Sequence, residues 1–236
     1  MNVRDLGGLP TEDGGETAFG AVVRADSIRQ LSDGGWEALV EYGIRRVVDL
    51  RLHAELEADV PRELPVEVLH ISVVPEFDSP DWQQIDAVRV RGDDVAATRN
   101  VYLEFLERYR PRFTEAVRAV AGAPPGGVLV HCLGGKDRTG LVVALLLRLV
   151  GVGEYEIAAD YALSGTYLAG ANQAWIDAAE DEEEREHRRR IAATPPEAMR
   201  QVVLELERRY GSVADYLRAG GASDEELERA RTRLRG

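Results

Sequence analysis

The residues with the types and spacing to do chemistry are concentrated in one stretch, His131-Cys132-Leu133-Gly134-Gly135-Lys136-Asp137-Arg138-Thr139-Gly140. It holds the only cysteine of the 236-residue chain and, among 29 basic residues, the only lysine. Five residues separate Cys132 from Arg138. A thiolate is a strong nucleophile and forms most readily beside cations or at a helix N-terminus. The planar fork of arginine can hold two phosphate oxygens at once, whereas lysine is a compact point charge on a flexible stem. These types at this spacing fit nucleophilic attack on phosphorus inside a cradle of backbone amides.

The flanking elements must position that cradle. Gly127-Val128-Leu129-Val130 reads as a buried strand, and Leu141 to Val150 as a helix that is apolar nearly all round. A loop between strand and helix turns its N–H groups toward the helix N-terminus, where an anion is favoured. Gly134 and Gly135 let the backbone approach closely. Leu133, Gly134, Gly135, Lys136, Asp137 and Arg138 are therefore the phosphate-binding candidates. The Thr139 hydroxyl is placed to hydrogen-bond the sulfur as it leaves phosphorus, and His131 to order the loop rather than to act as a base. Cys132 would attack, a phosphocysteine would form, and water would hydrolyse it. The loop itself neutralises the transition-state charge, so neither metal nor cofactor is expected. An acid must protonate the leaving oxygen. Asp137 and Asp49 are the candidates, with Asp78 and Asp81 behind them.

Elsewhere the pattern predicts strands at 21–24, 45–50, 66–72 and 128–131. It predicts helices at 33–42, 100–121 with a break at Pro111, 141–150, 154–163, 166–191, 196–210, 212–219 and 224–234. Strands and helices alternate up to the reactive loop. That predicts an α/β fold, a central, mostly parallel sheet flanked by helices, with a helical C-terminal half and one domain spanning 1–236. Residues 75–98 are acidic and punctuated by Pro75, Pro80 and Gly92. They read as a lid insertion or as a surface excursion carrying an ordinary helix. The charged run 180–190 reads as a solvated helix face.

Several classes are excluded. A net charge of −13 opposes nucleic acid and anionic surfaces as general partners. No apolar run approaches the ~18 residues of a membrane helix, so no stable membrane insertion is expected. The N-terminus lacks an apolar leader, which points to the cytoplasm. His53, His70 and His187 lie far apart, against a metal site. A nucleotide-binding G-x4-G-K loop fails, because Val130 stands in place of its first glycine and Asp137 in place of its Ser/Thr. One cysteine opposes a disulfide-relay reductase, and the long Gly-Lys-Asp-Arg-Thr-Gly segment opposes a sulfurtransferase. The alternative to catalysis is a silent phosphate- or phosphoinositide-binding module.

The stretch 131–140 resembles the reactive loop of the bacterial atypical tyrosine and lipid phosphatases of the mycobacterial PtpB type. Asn2-Val3-Arg4-Asp5-Leu6-Gly7-Gly8 is similar to that family's N-terminal motif, and Arg24-Ala25-Asp26 to its Arg-Ser/Ala-Asp segment. Gly43-Ile44-Arg45 through Asp49-Leu50-Arg51 and Glu55 resembles its Gly-Ile-x-x-Val-x-Asp-Leu-Arg stretch. Asp160-Tyr161 through Tyr167-Leu168, and Tyr210-Gly211-Ser212 through Tyr216-Leu217, fit its C-terminal half. The resemblance implies a cysteine-phosphatase fold with a central sheet and a helical lid. It implies a cysteine nucleophile acting on phosphotyrosine, phosphoserine/threonine or phosphoinositide substrates. Lys136 matches a lysine of lipid-directed cysteine phosphatases, and Asp137 the family's loop aspartate, which favours it over Asp49 as general acid. Arg24 and Arg51, within matched segments, are further site candidates. The Trp-Pro-Asp acid loop of the larger tyrosine phosphatases is absent from the sequence.

Overall fold

A computed structural model of the chain describes residues 1–57, 59, 64–89 and 93–236. Its elements run β1 (Arg4–Asp5), β2 (Val22–Ala25), α1 (Asp33–Glu41), β3 (Ile44–Asp49), α2 (His53–Leu56), β4 (Glu67–His70), α3 (Pro80–Asp86), α4 (Asp94–Arg108) and α5 (Arg110–Ala121). Then come β5 (Gly127–His131), α6 (Asp137–Leu149), α7 (Glu154–Asp177), α8 (Glu182–Ala192), α9 (Pro196–Tyr210), α10 (Val213–Ala219) and α11 (Asp224–Arg235).

The sheet order is β1-β2-β5-β3-β4. β2, β5, β3 and β4 are parallel, and β1 is an antiparallel edge on β2. β5 is buried along its whole length, as a continuous apolar run requires of a strand covered on both faces. Successive side chains point to opposite faces. Val128 and Val130 join the large core with α5 and α6, while Leu129 joins a smaller core with Trp36 of α1. The register aligns Ala25, His131, Asp49 and His70 across four neighbouring strands. The carboxyl ends of β2, β5 and β3 therefore form one edge, where ligands of parallel α/β sheets bind. α6 leaves that edge and is buried nearly all round, from Thr139 to Leu147. Among the described residues no helix is long and apolar enough to cross a membrane.

The structure corrects several sequence-based boundaries. α7 runs unbroken through 164–166, where two helices were expected. Gly165 does not end it. A Cβ there would lie 2.2 Å from Thr194 Oγ1, so the glycine serves a close approach to the connection between α8 and α9. The break falls instead before Asp181, whose side chain caps α8 by accepting from Glu184 N–H. α4 starts at Asp94, not at 100, and is capped by Asp93. Pro111 lies in the first turn of α5, where its missing N–H costs nothing.

The stretch read as a lid insertion or a surface excursion with an ordinary helix carries, over 75–89 and 93–98, α3 and the start of α4. Ser79 caps α3, Ile85 is buried, and Trp82 lies against Phe77 and Phe105. Ala97 and Thr98 of α4 are core residues. Residues 90–92 lie outside the described residues. α8 carries no buried residue, as the solvated-face reading requires, but its C-terminal end is held by the reactive loop.

Candidate active site

Cys132 follows the last residue of β5 and is 2% exposed. Six residues on, Arg138 sits in the first turn of α6. The loop between them is built from the outside. His131 Nδ1 bonds the Cys132 carbonyl at 3.1 Å. A carbonyl only accepts, so Nδ1 carries the proton. Ser27 N–H donates to the Leu133 carbonyl at 2.8 Å. The Asn2 side-chain amide donates to the carbonyls of Gly134 and Gly135 at 3.0 and 3.2 Å. Arg24 Nη2 donates to the Gly135 carbonyl at 2.6 Å. A trans peptide sets each N–H antiparallel to the carbonyl before it. The amides of Leu133, Gly134, Gly135 and Lys136 are thereby turned away from this outer layer, toward the inside of the loop. Such a ring of amides at a helix N-terminus holds an oxyanion.

Gly135 is required where it stands. Its φ is +64°, and a Cβ would lie 2.3 Å from the Ala25 carbonyl oxygen. Gly135→Ala is expected to cost at least about 2 kcal/mol and to push the loop off its seat. Denaturant unfolding and aryl phosphate turnover would check this, and a wild-type unfolding midpoint would show that the loop adapts.

Arg138 reaches back to α2. Its two terminal nitrogens bond the Glu55 carboxylate at 2.5 and 2.8 Å. Glu55 also accepts from Leu52 N–H at 2.7 Å, at the start of α2. Burial pushes the Glu55 carboxyl up, but Arg138 and that N–H outweigh it and hold it below the usual carboxylate range. Burial likewise opposes the Arg138 charge, and Cys132, Glu55 and Asp137 overcome it. The pair occupies the end of the guanidinium and leaves its Nε side for a second oxyanion.

Asp137 is packed on one side, with its side chain 41% exposed overall. Tyr102 donates to its Oδ1 at 2.5 Å and is bonded in turn to the Tyr161 hydroxyl at 2.8 Å. Desolvation pushes the carboxyl up, but Lys136, the Tyr102 hydroxyl, Arg89 and Arg138 hold it below the usual range. Lys136 Nζ lies 3.4 Å from Asp137 but donates to the carbonyls of Ile191 and Ala193, at the C-terminal end of α8. A cation is favoured at that end of a helix. The Thr139 hydroxyl is buried with no hydrogen-bond partner among the described residues.

Asp49 is 3% exposed and gripped by Arg51, through Nη2 at 2.7 Å and Nε at 3.0 Å. Arg51 also binds Asp59, at 2.6 and 3.0 Å. Burial pushes the Asp49 carboxyl up, but Arg51 and the nearby His131 keep it below its ordinary value. His131 Nε2 stands 3.5 Å from Asp49 Oδ2; burial lowers the ring's pKa, and the Asp49 charge opposes that shift. Arg24 is wholly buried and shares Asp160 with Arg4.

All the candidates of the stretch 131–139, with Asp49, Arg51 and Arg24, thus gather at the carboxyl edge of β2, β5 and β3. Asp81 instead accepts from Tyr109 on the far end of α4. Residue-by-residue reading assigned no role to Asn2, Ser27, Glu55, Tyr102 or Asp160. Asn2, Glu55 and Asp160 do lie in segments singled out by resemblance, while Tyr102 carries no sequence signal beyond its place in an amphipathic helix.

Residues 1–236 match the family profile described as the tyrosine phosphatase family. The chain is 28% identical over 235 residues to a tyrosine-protein phosphatase of Nostoc commune, covering 91% of this chain and 74% of that protein. It is 28% identical over 282 aligned positions to the triple specificity protein phosphatase PtpB of Mycobacterium tuberculosis, covering 100% of both.

Proposed function

The chain belongs to the tyrosine phosphatase family, and from that premise we propose that it is a cysteine-dependent phosphomonoesterase working through a phosphocysteine. The observation that carries the reading is the loop after β5, with its carbonyls bonded outward, its thiol at the N-terminus of α6, and Arg138 held ready by Glu55. A phosphate seated on the inward amides would lie against Cys132 and the free side of Arg138. The Cys132 sulfur attacks phosphorus, the S–P bond forms, and the P–O bond to the leaving group breaks. Asp137 gives its proton to the departing oxygen. The substrate's own negative charge raises the carboxyl toward its protonated form when the complex assembles. Water then attacks phosphorus with Asp137 accepting its proton, the S–P bond breaks, and inorganic phosphate leaves. The unpartnered Thr139 hydroxyl is free to donate to the departing thiolate. Asp49, buried and ionised against Arg51, takes a positioning part beneath His131.

The substrates proposed are phosphotyrosine and phosphoserine/threonine proteins and phosphoinositides. A relative named for triple specificity supports the breadth. So does Lys136, a second cation in the loop that can leave the α8 carbonyls for a further phosphate of a multiply charged head group. Phosphate release should be measured from an aryl phosphate, phosphopeptides and phosphoinositides, with wild type and Lys136→Met. Lys136→Met is expected to lose at least about tenfold more rate on phosphoinositides than on the aryl phosphate, as for a lost charge-assisted contact. No release from any substrate would sink the enzyme reading in favour of a binding module.

A further inference from the structure

We infer that Asn2 and Arg24 are positioning residues of the phosphate cradle, an outer clamp that sets which way the Gly134-Gly135 peptides face. The inference rests on the phosphatase reading above and names what makes its loop competent.

The reason lies in the two glycines. Without Cβ atoms, Gly134 and Gly135 impose little restriction on their own peptide planes. A plane free to turn would offer a carbonyl to the phosphate in place of an N–H. That exchanges an attraction for a repulsion at the point where transition-state charge develops. The direction must therefore be imposed from outside. The Asn2 amide spans both carbonyls, at 3.0 and 3.2 Å, and Arg24 adds a charged donor to the second at 2.6 Å.

The clamp is itself anchored. Asn2 N–H donates to Asp26 Oδ2 at 2.9 Å, and Asn2 Oδ1 accepts from Arg4 Nη1 at 2.6 Å. That second bond fixes which side of the Asn2 amide faces the loop. Arg4 and Arg24 both bind Asp160 of α7, and Arg4 also bonds Ser164 at 3.2 Å. Asn2, Arg24 and Ser164 are fully buried. A buried guanidinium is costly unless it is paired. The terminal nitrogens of Arg24 are met by Asp160, by Ser164 and by the loop carbonyl they direct, while its Nε has no partner among the described residues. The strand pair β1–β2, with Arg4 opposite Arg24, brings these side chains under the loop.

The test uses residues 1–236 with no added N-terminal tag, as wild type, Asn2→Ala, Arg24→Gln and Arg24→Lys. Affinity for inorganic phosphate is read by calorimetry, kcat and KM on an aryl phosphate, and the thermal midpoint separately. Asn2→Ala removes no charge and is expected to stay folded, with its midpoint within a few degrees of wild type. Its phosphate affinity should fall about tenfold and its kcat about 100-fold, the scale of losing one oxyanion donor. Arg24→Gln should fall further. Arg24→Lys, whose single nitrogen cannot serve Gly135 and Asp160 as the fork does, should lie between. A folded Asn2→Ala with wild-type phosphate affinity and kcat would overturn the clamp and leave these residues merely structural. If wild type itself turns over no substrate, the phosphatase reading fails, and the clamp is still decided by the phosphate affinity of Asn2→Ala.

Discussion

Cys132→Ser is expected to lower turnover of an aryl phosphate by about 10⁴-fold or more while leaving inorganic phosphate bound. The size follows from removing the one group that forms the covalent bond, whose loss other nucleophilic enzymes register on that scale. A serine hydroxyl ionises far less readily than a thiol, and the α6 N-terminus with Arg138 cannot make up the difference. Binding should survive, because it depends on the inward amides of Leu133 to Lys136 and on Arg138, and the substitution touches none of them. The residue is 2% exposed and the exchange nearly isosteric, so stability should change by less than about 1 kcal/mol. The checks are steady-state turnover, calorimetric titration with phosphate and an unfolding curve. A serine variant within tenfold of wild-type turnover would remove Cys132 from the mechanism.

Arg138→Lys should cost on the order of 10³-fold in kcat/KM despite keeping the charge. The guanidinium is asked to do two things at once. Its terminal nitrogens satisfy Glu55, and its Nε side remains for phosphate. A single ammonium cannot serve both carboxylate oxygens and two phosphate oxygens, so the planar match is lost. Glu55 is 8% exposed in its side chain and, among the described residues, keeps the Leu52 N–H as its other hydrogen-bond partner. The folded state should therefore weaken by about 1–3 kcal/mol, the cost of a poorly satisfied buried polar group. Turnover together with the thermal midpoint checks both halves. Full activity with an unchanged midpoint would contradict the role assigned to the pair.

Much of the fold is legible because its signals are local. The apolar run before Cys132 and the apolar helix after Arg138 are read correctly, since continuous burial needs continuous apolar sequence. Ser32 caps α1 and Ser223 caps α11, each a serine directly before its helical run, where such a cap is favoured. The misreadings have physical causes as well. Gly165 looks like a helix end along the chain, yet it is a contact surface for Thr194. β1 spans two residues, too few for any periodicity, and exists because β2 offers it a partner. Residues 75–98 leave two readings open because proline and acidic residues crowd there; among those described, Ile85 is buried and Trp82 lies against Phe105, which seats α3 on α4.

The chemistry proposed for the candidate site was legible in the sequence alone. The proposed nucleophile, clamp, lysine and aspartate lie within seven residues of one another in a strand–loop–helix unit, and such a unit's geometry is set by neighbouring residues. Only the tertiary structure decided what holds that unit in working order. Glu55 meets Arg138 across 83 positions, Arg24 meets Gly135 across 111, and Asn2 meets Gly134 across 132. It likewise decided that Lys136 rests on the end of α8 rather than standing alone. Hydrogen bonds at such separations depend on how the sheet and its helices stack, a sum over the whole core, and no local pattern of residues encodes that sum.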